Sequence, residues 1–258
     1  MPFPRLTKLQ VKEYSEVLDK RTRKQKALFH IEGVRLFEEF SSSGWEAEWI
    51  AVDTPFLEAH PQAAEFLKKK FGVCTWLASS LDIKKLSDTE HAQGIVAAIR
   101  KPAAIDENGR APLGNVLILD QIADPGNLGT MLRSADWFGV DHVYLSPSCA
   151  EAFSPKAVRA TMGSIFRLHI VENASLRTTI ETLLKKKYTV LAADMHGEKI
   201  PPKMLAPWAL IIGSEAHGLS DEVRSAPIQL MAIEKYGRGE SLNAAVSCGI
   251  LLHALTRS

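Results

Sequence analysis

Three times in its second half, this 258-residue chain runs from a short apolar stretch straight into a polar turn that carries glycine, and no other feature limits its possible folds as tightly. Val116–Leu119 leads into DQIADPGNLG, Ala209–Ile212 into GSEAHGLS, and Ile228–Ile233 into EKYGRGESLN. Apolar runs of this length, bounded by turn residues and separated by helix-length segments, read as parallel strands buried on both faces. In such sheets ligands gather beyond the carboxyl ends of the strands. All three turns fall at that edge, which predicts one composite site.

The alternation extends along the whole chain. An opening helix over 8–18 precedes strands 28–32, 47–52, 73–77 and 94–99, with helices over 33–42, 56–70 and 81–86, an α/β/α sandwich with a basic leader. Periodic hydrophobics give way at 101–114, KPAAIDENGRAPLG, which reads as a linker. Beyond it, strands 116–119, 142–145, 167–171, 189–193, 209–213 and 228–233 alternate with helices. One of these opens at Ser154 and Pro155, a cap and first-turn pair, and the last begins at Asn243. The expected division is therefore 1–100, a linker at 101–114, and 115–258.

A hydrophobic share of 46% and a charged share of 24% exclude disordered and disulfide-scaffold classes. Cys74, Cys149 and Cys248 lie far apart without a CxxC or a nearby His, so they read as reduced packed thiols, and no metal is expected. No apolar stretch reaches the ~18 residues of a membrane span, and the N-terminus lacks a signal-peptide core, so a cytoplasmic location is expected. The net charge of +1 conceals an asymmetry. Residues 1–35 hold nine basic against four acidic side chains, and Lys20, Arg21, Arg23, Lys24 and Lys26 crowd into KRTRKQK. That density suits an RNA backbone, although a solvated helix end would also account for it.

Each turn has a bland reading beside a functional one. Asn127 could be a helix cap and Arg133 a surface cation, yet the apolar neighbours Ala135, Trp137 and Phe138 predict an Arg in need of an anionic partner. In the second turn Gly213 and Gly218 allow close backbone approach while Glu215 projects, against a plain turn capped by Ser220. An N-cap explains one of Ser241 and Asn243 but not both together with Glu240. No GxxxxGK[ST], strand-following GxGxxG or GxSxG occurs, which excludes the common nucleotide loops and the nucleophile elbow.

In sequence order, DPGNLGTMLRSADWFG, LIIGSEAHGLS and IEKYGRGESLNAAVSCGILL resemble the three motifs of the SpoU (TrmH-like) branch of the SPOUT superfamily of RNA ribose methyltransferases. The resemblance covers about 140 residues. RTRKQKALFHIEG is similar to the ribosomal-protein-like substrate-binding domain that often precedes it. This resemblance implies a C-terminal α/β domain with a trefoil knot, a homodimer whose interface helps build the site, and S-adenosyl-L-methionine gripped chiefly by backbone at Gly213, Ile233 and Leu242. It carries catalytic roles onto Asn127, Arg133, Glu215, Ser241 and Asn243. The implied reaction is attack by a ribose 2′-hydroxyl on the cofactor's methyl group. A guanidinium is rarely a base, so Arg133 is read as orienting the target phosphate and hydroxyl.

Two departures stand out: Ile233, Glu234 and Lys235 replace the family's Ile-Pro-Met, and His253 lies where a closing Glu is frequent. The expected substrate is structured, ribosomal RNA. Alternatives are transfer RNA, a non-catalytic RNA-binding or assembly factor that keeps the fold, and a small-molecule methyltransferase.

Overall fold

In this computed structural model the described residues are 3–102, 112, 114–199 and 207–257. They divide into two units, Met1–Ala103 with Phe153–Phe166, and Ala104–Ala152 with Arg167–Ser258. Of the expected linker, residues 103–111 and 113 lie outside the described ones.

Helix α1 (Lys8–Ser15) begins at a capping box, in which the Thr7 hydroxyl accepts the Gln10 amide and the Gln10 side chain accepts the Thr7 amide. Asp19 caps α2 (Lys20–Lys26) by accepting the amides of Arg21 and Thr22. There follow β1 (Leu28–Glu32), α3 (Val34–Ser43), β2 (Ala47–Val52), α4 (Thr54–Ala59), α5 (Pro61–Phe71), β3 (Thr75–Leu77), α6 (Ser80–Leu86) and β4 (Ile95–Arg100). The strands form one sheet in the order β1-β4-β2-β3, with β4 antiparallel to both neighbours and β2 parallel to β3. The single helix expected over 56–70 is two. Pro61 offers no amide and restricts His60, which sits at φ −127° and ψ 70°, so α4 ends there and Pro61 opens α5.

The remaining elements are β5 (Val116–Leu119), α7 (Pro125–Trp137), β6 (His142–Leu145), α8 (Pro155–Thr161), β7 (His169–Val171), α9 (Leu176–Lys185), β8 (Thr189–Lys199), β9 (Trp208–Ile212), α10 (Asp221–Arg224), β10 (Gln229–Ala232) and α11 (Ala244–Thr256). Six strands make a wholly parallel sheet in the order β10-β8-β9-β5-β6-β7. Every residue of β5 and β9 is buried, as expected of central strands covered on both faces. β8 runs past its expected end at residue 193. It rejoins β10 after a bulge, with Leu230 opposite Ala192 but Met231 opposite Glu198, and this carries Lys199 alongside Ala232.

Phe153–Phe166, expected in the second domain, packs with the first unit. The rings of Phe153 and Phe166 lie 5.2 and 6.0 Å from that of Phe29, and Arg159 Nη1 donates to Glu32 (3.2 Å) and Asp88 (2.7 Å). Aromatic burial and paired charge hold α8 there. All three cysteines are free, and burial pushes the Cys248 thiol up to about 12, which leaves it inert.

His30 on β1 is 1% exposed and bonds through Nε2 to the Leu86 carbonyl at 2.8 Å. Burial lowers its pKa from 6.5 to about 4, against the opposing pull of Glu32. The folded state therefore keeps His30 neutral at a pH where the unfolded chain protonates it. Stability is retained above about 6.5 and declines as pH falls towards about 4, by roughly 3 kcal/mol at full extent. Thermal melts between pH 7 and 4.5 should show a shallower acid decline in His30→Gln than in the wild type. Parallel declines would remove His30 as the cause.

Candidate active site

The parallel pairing of Leu119 with Ile212 sets the carboxyl ends of β5 and β9 side by side, and the Asp120 amide donates to the Ile212 carbonyl at 2.9 Å. This is also where the strand order reverses direction, the position at which such sheets open a crevice. From β5 the chain turns through Gln121, a non-glycine residue at φ 60° whose amide donates to Ser146 Oγ (2.9 Å). It then enters α7. The cap of α7 is Asp124, which accepts the Asn127 amide at 2.8 Å; Asn127 is the third residue of the helix, and its side chain is free for other work.

The second turn closes on itself, because Ser214 and Gly218 exchange backbone hydrogen bonds of 2.9 and 2.8 Å. Gly213 is required by this closure, since a Cβ there would sit 2.5 Å from the Gly218 carbonyl oxygen. Beneath the ring Asp120, 1% exposed, accepts the Ser220 amide on Oδ2 at 2.7 Å, and Ser220 caps α10. Asp120 and Asp124 were not singled out as site residues from sequence. The available signal was a carboxylate ending a fully apolar strand, a position where burial demands a donor.

At the third turn Asn243 caps α11, its Oδ1 accepting the amides of Ala245 and Val246. Its Nδ2 is left to face the other turns. Glu215 Oε1 accepts Asn127 Nδ2 at 2.9 Å, Asn243 Nδ2 at 2.7 Å and the Ala244 amide at 2.9 Å, while Asn243 Nδ2 also lies 3.2 Å from Asn127 Oδ1. One carboxylate oxygen thus joins three loops at the amino end of a helix, where negative charge is stabilised.

The other expected residues lie outside this hub. Arg133 is exposed, and its side chain makes no hydrogen bond or ion pair with a described residue. The crowding expected from its apolar neighbours does not bury it, and Trp137, one turn further on, is itself 83% exposed. Ser241 is exposed without a described partner, and Leu242 is half exposed beside Asn243. Ile233 directly follows β10. Between them the backbone of Glu234–Leu242 makes no hydrogen bond with any described group, leaving a run of open donors and acceptors suited to a ligand held by main chain.

Of the basic residues on α2, Lys20, Arg21 and Lys24 are exposed and Lys26 lies 3.5 Å from Glu13. Arg23 is a correction to the expected RNA-binding group. It is buried, and its Nη1 donates to the carbonyls of Val17 (3.2 Å) and Leu18 (2.6 Å), closing the turn before α2. Among the described residues no group of three or more His, Cys, Asp or Glu could hold a metal.

The family model described as SpoU rRNA Methylase family matches residues 114–253, and that of an MRM3-like substrate binding domain matches residues 8–97. The chain belongs to the SpoU rRNA methylase family. It is 30% identical over 250 residues to the 23S rRNA (guanosine(2553)-2'-O)-methyltransferase RlmP of Bacillus subtilis (strain 168), covering 95% of each chain. It is 27% identical over 249 residues to a 23S rRNA (uridine(2479)-2'-O)-methyltransferase of Streptomyces viridochromogenes, covering 93% of this chain and 85% of that one. Its fold matches the AdoMet-bound rRNA methyltransferase of Sinorhizobium meliloti with a TM-score of 0.82 at 26% identity, over 100% and 98% of the two chains.

Removing the hub should loosen the loops without unfolding the sheet. In Glu215→Ala the Ala244 amide is expected to exchange with solvent roughly tenfold faster. Asp120→Ala should lower stability by about 1 to 2 kcal/mol in urea titrations, because it strands the part-buried Ser220 amide. Unchanged Ala244 protection in Glu215→Ala would rule out the hub.

Proposed function

We propose that this protein transfers the methyl group of S-adenosyl-L-methionine to a ribose 2′-hydroxyl of ribosomal RNA. The observation that carries this reading is the joining of three family motifs through Glu215 Oε1 at the carboxyl edge of the parallel sheet. The names of the relatives support it, as does the AdoMet bound in the Sinorhizobium structure. The open backbone of Gly237–Leu242 fits a cofactor with many polar atoms, with Gly213, Ile233 and Leu242 at its binding positions. When bound, that cofactor supplies an activated methyl group.

In this reading Glu215, Asn127 and Asn243 hold the three loops in register, because an oxygen already accepting three hydrogen bonds serves better as an anchor than as a base. Ser241 offers a donor and acceptor at the lip. Arg133 orients the target phosphate and hydroxyl, and the proton passes to that phosphate or to solvent. Alignment of nucleophile and methyl group is the main demand, worth ~7 to 11 kcal/mol in well-oriented systems. Residues 1–100 engage RNA through Lys20, Arg21, Lys24 and Lys26, 101–114 link, and 115–258, apart from the Phe153–Phe166 segment that packs with the first unit, form the knotted catalytic domain of a cytoplasmic enzyme. No helix among the described residues is long and apolar enough to cross a membrane.

Calorimetric titration should detect S-adenosyl-L-methionine binding. Labelled methyl should pass to unmodified 23S rRNA transcripts and not to transfer RNA, with an RNA KM that rises steeply with salt. Arg133→Lys should lower kcat/KM by roughly a hundredfold through misorientation. Absence of cofactor binding would favour a non-catalytic RNA-binding factor.

The same reading includes a homodimer. α11 is mostly apolar, and beyond its buried stripe Val246 and Ile250 are exposed, one turn apart, with His253 further along the same face. α7 packs beside it, with Ser134 Oγ 3.9 Å from a Cβ built on Gly249, and offers the exposed Trp137. An apolar face of this kind calls for a partner, and dimerisation through it would bring Arg133 to the interface. Sedimentation should find a dimer in the wild type and monomers for Trp137→Glu with Ile250→Glu. A dimer that survives both charges would place the interface elsewhere.

A further inference from the structure

Tyr236 is 89% exposed, yet its hydroxyl is committed: it donates to Glu234 Oε2 at 2.8 Å. Glu234 Oε1 in turn accepts Lys199 Nζ at 3.0 Å, from the end of β8 that the bulge carries alongside β10. These three residues form a chain from the sheet to an aromatic ring whose polar tip is tied down. What remains on offer is the face of the ring. Lys235 and Arg238 flank it, both exposed and without an ion pair among the described residues. Fixing a long Lys, a Glu and a Tyr in water costs rotamer freedom with little return from exposed pairs, so the arrangement needs an occupant that uses the ring.

Ser241 lies five positions after Tyr236, which bounds their Cα distance at ~18 Å. The platform therefore belongs to the rim of the site. It is built around Glu234, which with Lys235 forms one of the places where the chain departs from the family's motifs.

Resting on the RNA methyltransferase reading, we propose that Tyr236 is a stacking platform for an unpaired base of the substrate RNA next to the methylated ribose. Glu234 and Lys199 are positioning residues that set the ring, and Lys235 and Arg238 meet the adjoining phosphates. Every base presents a π-face, so an aromatic ring beside cations binds single-stranded RNA with little sequence preference. The dimer proposed above uses α7 and α11 instead and leaves this loop free.

The test is equilibrium binding of a short fluorescein-labelled oligouridylate to the full-length protein, which requires no turnover. Tyr236→Ala and Tyr236→Leu should each weaken binding roughly tenfold, while Tyr236→Phe, which keeps the ring but loses its tie to Glu234, should weaken it by only about threefold. Glu234→Gln should raise the KM for 23S rRNA transcripts and leave kcat unchanged. Calorimetric S-adenosyl-L-methionine affinity and sedimentation behaviour should match the wild type throughout. Wild-type oligouridylate binding in Tyr236→Ala overturns the proposal, and so does a shift to monomer, which would put the ring at an interface between copies. A wild-type protein that binds oligouridylate but no S-adenosyl-L-methionine would sink the methyltransferase reading alone.

Discussion

Three loops that are far apart in sequence meet on one oxygen atom. Glu215 Oε1 takes a donor from the first turn, one from the cap of the last helix and one from that helix's first amide. The three loops are not equally well held without it. The second is a closed ring seated on the buried Asp120, whereas the backbone of Glu234–Leu242 has no described partner. Order therefore runs outward from β5 and β9, through Asp120 and the ring, to Glu215, and only then to Asn243 and α11. Hydrogen bonds to a charged group are worth about 1.5–3 kcal/mol each when shielded from water. At this half-open edge they are weaker, strong enough to set register and weak enough to let a loop yield to a ligand.

Much of this was legible in sequence because it is local. The bounds of β1, β2, β5 and β6 follow from apolar runs between turn residues, and the Ser154–Pro155 and Asn243 helix starts follow from cap chemistry. Gly213 was legible for the same reason, as a turn that a Cβ would obstruct. The break at Pro61 was also written in the chain, but apolar periodicity across 56–70 masked it.

Contacts distant in sequence decided the rest. Asn127 does not cap α7, because Asp124 three residues earlier does, and its amide instead spans 88 residues to Glu215. Arg23 sits in a run of cations that composition reads as surface, yet the helix turns it inward onto two carbonyls. Apolar neighbours in sequence implied a crowded Arg133, but on α7 the adjacent Trp137 points to solvent. The pairing of α8 with Glu32 and Asp88 spans up to 127 residues, beyond the reach of any periodicity.

The third loop shows how one substitution changes what stiffens a site. A proline at position 234 would fix its own φ by covalent geometry, independently of solvent. Glu234 leaves the backbone free and supplies restraint from outside, through Lys199 and Tyr236. Those partners hold Glu234 below the usual carboxylate range, chiefly through the Tyr236 hydroxyl, and raise Lys199 and Tyr236 in turn. Such a restraint is electrostatic and fully exposed, so salt screens it in a way that salt cannot screen a pyrrolidine ring. The rim of this site is thereby made responsive to ionic strength, and in the proposed RNA-binding reading loop order and RNA engagement weaken together as salt rises.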